Sequence, residues 1–211
     1  MGEPLSYIHR FEQGAAAADA RPLLLLHGTG GDENDLVPLG RMIAPDAPLL
    51  SPRGKVLENG MPRFFRRLAE GVFDEADVLS RAHELADFVD EARAHYDIAS
   101  PIALGYSNGA NIAGAMLLLR PEALAGAVLL RAMLPLSQTP PVDLTGKPVL
   151  VASGVNDPII PLERAARLAS LLQRLGAEVE HCTLPSGHEL SQADVTLAKN
   201  WMKAHERAAA R

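Results

Sequence analysis

Apolar and polar positions along this 211-residue chain alternate between two rhythms. Pro22 to Leu26, Ile102 to Tyr106, Gly126 to Leu130 and Pro148 to Ser153 are short apolar runs. Such runs read as strands covered on both faces, because neither side of the pleat then meets water. Leu5 to Phe11, Ala47 to Ser51 and Glu178 to Leu184 extend the series of strand candidates. Between them lie helical patterns: Asp32 to Met42, which begins with acids; Asp74 to Tyr96, with Val78, Leu85, Phe88 and Val89 at helical spacing; Asn108 to Leu119; Pro161 to Leu175, opened by proline and closed before Gly176; and Ser191 to Arg207, with residues 208–211 as a fraying tail. Strands alternating with helices predict an α/β fold with a mostly parallel central sheet and helices on both faces. No repeat or linker divides the chain, so residues 1–211 read as one domain.

Composition narrows the function classes. Hydrophobic residues make up 47% and charged residues 22%, as in ordinary globular proteins. A net charge of −6 and the lack of basic clusters interleaved with aromatics argue against a nucleic-acid partner. No stretch approaches a membrane span, and Ala15 to Ala18 is too short for the core of a signal peptide, so a cytoplasmic location is the default expectation. Gly2 and Ser6 match the bare myristoylation pattern, which is short and often met by chance. Cys182 is the only cysteine; an intrachain disulfide is therefore impossible, and the alternating surroundings of Cys182 suggest a buried, inert thiol. No spacing of His, Cys or acids suggests a metal site.

The chemistry concentrates just after the strand candidates. Gly105-Tyr106-Ser107-Asn108-Gly109 joins a strand to a helix and matches the G-x-S-x-G elbow, in which small residues flank a serine held in a tight turn. A serine nucleophile needs a base, a group to orient that base, and donors for the oxyanion. Asp157, in Gly154-Val155-Asn156-Asp157-Pro158, is the acid candidate; a turn or cap aspartate is the plainer alternative. His188, in Pro185-Ser186-Gly187-His188-Glu189, is the base candidate, against an exposed loop histidine. His181 lies within a strand, His205 near the end of the chain, and His83 and His95 on a long helix before the elbow. Ser, Asp and His thus occur in the order this architecture requires. His27-Gly28-Thr29-Gly30-Gly31 follows a strand and suits an oxyanion loop, with backbone N–H groups of Thr29 and Asn108 as donors and His27 shaping the loop. The loop matches neither phosphate-binding glycine pattern. Asp32, Glu33 and Asp35 read as acids at a helix N-terminus.

These residues together resemble the α/β-hydrolase superfamily, and more narrowly the phospholipase/carboxylesterase family, which includes acyl-protein thioesterases and small bacterial carboxylesterases. The likeness is carried by Leu25 to Glu33, Gly105 to Ala110, Gly154 to Pro158 with Pro161, and Gly187 to Glu189. Asn108 stands where acyl-protein thioesterases commonly carry glutamine, which tilts the resemblance toward the bacterial esterases. The resemblance implies an α/β-hydrolase fold without a large lid domain, and cofactor-free serine hydrolysis of small to medium acyl esters. It also brings the expectation of a homodimer. A thioesterase or lysophospholipase with the same triad, or a non-enzymatic binding scaffold, remain alternatives.

Arg53 to Phe73 is the least regular segment and holds three of the five phenylalanines. It is the candidate for substrate binding: Met61, Phe64, Phe65 and Phe73 as an acyl pocket, and Arg53 facing a substrate carboxylate or carbonyl. Leu134, Pro135 and Leu136 are a candidate second wall.

Overall fold

The computed structural model describes residues 5–15 and 20–205. Gly2, most of Ala15 to Ala18 and the 208–211 tail lie outside them. Seven strands form the central sheet: β1 (His9–Glu12), β2 (Leu23–Leu26), β3 (Leu49–Pro52), β8 (Ile102–Tyr106), β9 (Gly126–Leu130), β10 (Pro148–Gly154) and β11 (Glu178–Leu184). Their order is β1-β3-β2-β8-β9-β10-β11, and every pair is parallel except β1 with β3.

The run of four leucines in β2 shows how this sheet is built. All four are fully buried, but on two different cores. Leu24 and Leu26 pack on the side of α2 (Glu75–Tyr96), α3 (Asn108–Leu119) and α4 (Leu162–Arg174). Leu23 and Leu25 pack on the side of α1 (Val37–Ile43) and α5 (Gln192–His205). The period of two in a strand sends neighbours to opposite faces, so a strand sandwiched by helices must be apolar throughout.

Strand order also places the site. From β2 the chain first moves outward to β3, then returns to the other side of β2 as β8. The direction of winding therefore reverses between β2 and β8, and open α/β sheets bind ligands at the carboxyl ends of such strands. The loop after β2 and the elbow after β8 both lie at this point.

Two stretches differ from the sequence expectation. Asp32, Glu33 and Asp35 do not open a helix: α1 begins only at Val37, with no acid in its first turn. Asp32 instead accepts the N–H of Asn34 in a turn (2.8 Å), and Glu33 pairs with Arg53. Local side-chain hydrogen bonds and an ion pair outcompete the helix there. The segment after β3 is not irregular but forms two antiparallel hairpins, β4 (Val56–Glu58) with β5 (Met61–Arg63) and β6 (Arg67–Ala69) with β7 (Val72–Phe73). The first turns at Asn59-Gly60, both with positive φ (52° and 80°). Such two-residue turns demand this backbone, and Asn-Gly supplies it.

Candidate active site

The elbow is built by steric exclusion. Ser107 sits at φ 52° and ψ −111°, off the regions usual for an L-residue, between β8 and α3. Its N–H donates to Leu130 O (2.9 Å), which ties the turn to β9. A Cβ on Gly109 would overlap Leu26 O, and one on Gly105 would lie 2.6 Å from Ala110 Cα. Only glycine leaves room for the helix to start this close to β2 and β8.

The hydroxyl meets a chain of hydrogen bonds. Ser107 Oγ lies 2.9 Å from His188 Nε2, and His188 Nδ1 lies 2.8 Å from Asp157 Oδ2. Asp157 is almost wholly buried on its side chain and His188 partly exposed. The other oxygen of Asp157, Oδ1, accepts the N–H groups of Ile159 (2.8 Å) and Ile160 (2.9 Å). One oxygen thus caps the following turn and the other meets the imidazole. Equal register explains how residues 31 positions apart meet: Gly154 pairs with Leu184, so the two loops leave the sheet side by side. Asn156 N–H then donates to Ser186 O (3.0 Å).

Thr29 and Asn108 join Ser107 and His188 around a cavity of about 220 Å³. The backbone N–H groups of Thr29 and Asn108 have no hydrogen-bond acceptor among the described residues. His27 shapes the loop as expected: Nδ1 donates to Gly28 O (2.6 Å) and Nε2 accepts Gly54 N–H (3.0 Å). Burial lowers its pKa, in keeping with a neutral ring in that tautomer.

The cavity is completed by Arg63, Arg67, Glu70, Gly71 and Phe73 from the hairpins, Tyr106 and Asn111 near the elbow, and Met133, Ile159 and Ile160. Of the substrate-binding candidates Phe73 lines this cavity, while Phe64, Phe65, Met61 and Arg53 do not. Phe64 and Phe65 are fully buried in the core, where Phe64 packs on the His27 ring. Met61 sits outside the cavity lining, near Gly30. Arg53 is held by Glu33 through Nε (2.5 Å) and Nη2 (2.8 Å) and lies 3.9 Å from Asp32, so its charge is already paired. Leu134, Pro135 and Leu136 line an adjoining cleft, and Met133 takes the wall position. A period-two hairpin cannot aim every aromatic at one cavity, which sequence density alone conceals. Cys182 is only partly buried, not enclosed as expected; desolvation and its contact with Glu180 raise its pKa, which disfavours the thiolate.

Several contributors escaped the sequence reading. Arg131 directly follows β9, has positive φ (58°) and a side chain with no exposure. It pairs in two-pronged fashion with buried Asp194 (Nη1–Oδ1 2.7 Å, Nη2–Oδ2 3.0 Å). It also donates to Gly187 O (2.8 Å), Ser186 Oγ (3.0 Å) and Glu189 O (3.2 Å), and so grips the loop on both sides of His188. A lone arginine after an apolar strand was the available signal, since a buried charge requires a partner. Tyr106 donates its hydroxyl to His188 O (3.2 Å) and packs its ring against the imidazole. Asn108 Oδ1 accepts Phe64 N–H (2.7 Å), which fastens the elbow to the hairpin segment.

A doubly wound sheet with a serine elbow at its switch point defines an α/β hydrolase. The chain belongs to the phospholipase/carboxylesterase family, whose profile matches residues 12–206. MhqD of Bacillus subtilis (strain 168), named as a hydrolase, is 46% identical over 197 residues, covering 92% of this chain and 97% of MhqD. The crystal structure of the Bacillus cereus carboxylesterase superposes with a TM-score of 0.92 at 45% identity, covering 94% of each chain. The structure of YahD with malic acid superposes at 0.87 with 34% identity, covering 95% of this chain and 99% of YahD. The chain is a serine hydrolase of this family. No helix among the described residues is long and apolar enough to cross a membrane.

Proposed function

We propose that the protein is a carboxylesterase that hydrolyses small to medium acyl esters through an acyl-enzyme on Ser107. The observation that carries this reading is the unbroken path from Ser107 Oγ through His188 to Asp157 Oδ2, at 2.9 and 2.8 Å. His188 Nε2 takes the hydroxyl proton as Oγ attacks the acyl carbon. Asp157 accepts a hydrogen bond from Nδ1–H, holds the required tautomer and stabilises the imidazolium that forms. The N–H groups of Thr29 and Asn108 receive the oxyanion. His188 then returns the proton to the departing alcohol, and a water activated by the same nitrogen releases the acid. The scheme calls for no cofactor.

The cavity volume bears on substrate size. At about 220 Å³ it falls below the range usual for drug-sized ligands (about 300–1,000 Å³). Short acyl groups fit this space, and malic acid, present in the YahD structure, is of suitable size. The test is hydrolysis of p-nitrophenyl acetate by the wild type and by Ser107→Ala. The variant is expected to lose at least about 10³-fold in kcat. Equal rates would refute the reading.

A further inference from the structure

Arg63, at the end of β5, is a buried cation with one nitrogen left over. Its side chain is 3% exposed. Nε donates to Phe65 O (3.2 Å) and lies 3.3 Å from Glu58 Oε2, while Nη1 donates to Thr29 Oγ1 (2.5 Å). Nη2 has no acceptor among the described residues. It is also absent from the side-chain nitrogens sealed away without a partner, which are Arg81 Nε, Arg93 Nε and Asn108 Nδ2. Nη2 is therefore reachable, and Arg63 lines the cavity that also holds Ser107.

Its charge is also under-compensated. Both oxygens of Glu58 receive Arg67, through Nε (2.9 and 3.1 Å) and Nη2 (2.6 Å), so one carboxylate serves two guanidinium groups. Glu70, the acid on the cavity wall, is exposed to water, which screens it. Desolvation lowers the Arg63 pKa, as expected where burial outweighs the nearby anion. The cavity wall also includes Phe73, Met133, Ile159 and Ile160, which offer an anion nothing. The same residue holds the side chain of Thr29, whose N–H is assigned to the oxyanion, so Arg63 lies close to the scissile carbonyl.

We propose that Arg63 selects the acyl part of the substrate by binding, through Nη2, a carboxylate carried a few atoms from the scissile carbonyl. The preferred substrates are then half-esters of short dicarboxylic acids. The acyl side is assigned because the alcohol must leave to solvent while the acyl group stays on Ser107 at the buried end. This proposal rests on the ester-hydrolase reading above.

The test compares ethyl hydrogen succinate with ethyl 4-methylpentanoate, in which an isopropyl group replaces the carboxylate. The quantity read is the ratio of their kcat/KM values. The wild type is expected to favour the half-ester by about tenfold or more, the worth of a charge-assisted hydrogen bond. Arg63→Met should bring the ratio to about one, and Arg63→Lys to an intermediate value. A wild-type ratio of one or below overturns the proposal, as does failure to turn over either ester while p-nitrophenyl acetate is cleaved. An Arg63→Met variant that slows both esters and keeps the ratio also overturns it, by reducing Arg63 to a prop for Thr29. If Arg63→Met does not fold, the wild-type ratio decides alone. Loss of p-nitrophenyl acetate hydrolysis itself would instead refute the parent reading, so the two failures are distinguishable.

Discussion

Asp157 divides its two oxygens between the backbone and His188. Oδ1 accepts two backbone N–H groups and Oδ2 faces His188 Nδ1. This division makes Asp157→Asn a sharp probe. Asparagine can still present its oxygen to Ile159 and Ile160, which turns its NH₂ group toward His188. Nδ1 must then accept, the ring proton moves to Nε2, and the imidazole can no longer take the proton of Ser107. The expected outcome is a fall in kcat of about 10⁴-fold, the effect of the wrong tautomer in a Ser-His-Asp site, with only a small change in melting temperature. Steady-state kinetics beside a thermal melt check it. The Ser-Asp-His order was legible in the sequence because each residue follows a recognisable strand. The arginines were not: Arg53 and Arg63 are equivalent as letters, and only the folded chain gives one to Glu33 and the other to the cavity.

Among the elements, α5 contributes to the site without touching it. Asp194, in its first turn, accepts Ser191 N–H and hydroxyl (both 2.8 Å) and anchors Arg131, which in turn holds residues 186–189. Burial alone would raise the Asp194 pKa, but the Arg131 and Ser191 hydrogen bonds outweigh it and the net direction is downward. The folded-state pKa then lies below the unfolded value of about 3.9, so the stabilisation is complete above that pH and is lost as pH falls through the folded value. Asp194→Asn leaves Arg131 buried and unpaired and should destabilise by about 3–5 kcal/mol at neutral pH. The gap from wild type should shrink in strongly acidic solution, where Asp194 itself is protonated. Urea unfolding across the acid range checks both the size and the sign.

At the scale of the whole molecule, the two cores are the two faces of one sheet and share its strands. Loss of the sheet would remove both together. The expected outcome is a single cooperative thermal transition, with calorimetric and van't Hoff enthalpies agreeing; two separable transitions would show independent domains. The overall charge of −6 conceals the local picture, since Arg63 and Arg67 line the cavity of an acidic chain. Net charge speaks to solubility and not to what one pocket attracts.

The sequence by itself determined the elements whose patterning is driven by burial. The bounds of β8, β9 and α3 coincide with their apolar runs, because a strand or helix pressed between layers has no polar alternative. It also determined the chain order of Ser107, Asp157 and His188, because local turn chemistry marks the ends of strands. Tertiary structure alone decided how far α1 retreats behind its acids, where the hairpins aim their side chains, and which buried charges meet. Arg131 and Asp194 are 63 residues apart, and Arg63 and Thr29 are 34 apart. No local rule reaches across such separations, since a buried charge states only that it needs a partner and the winding of the sheet supplies which one.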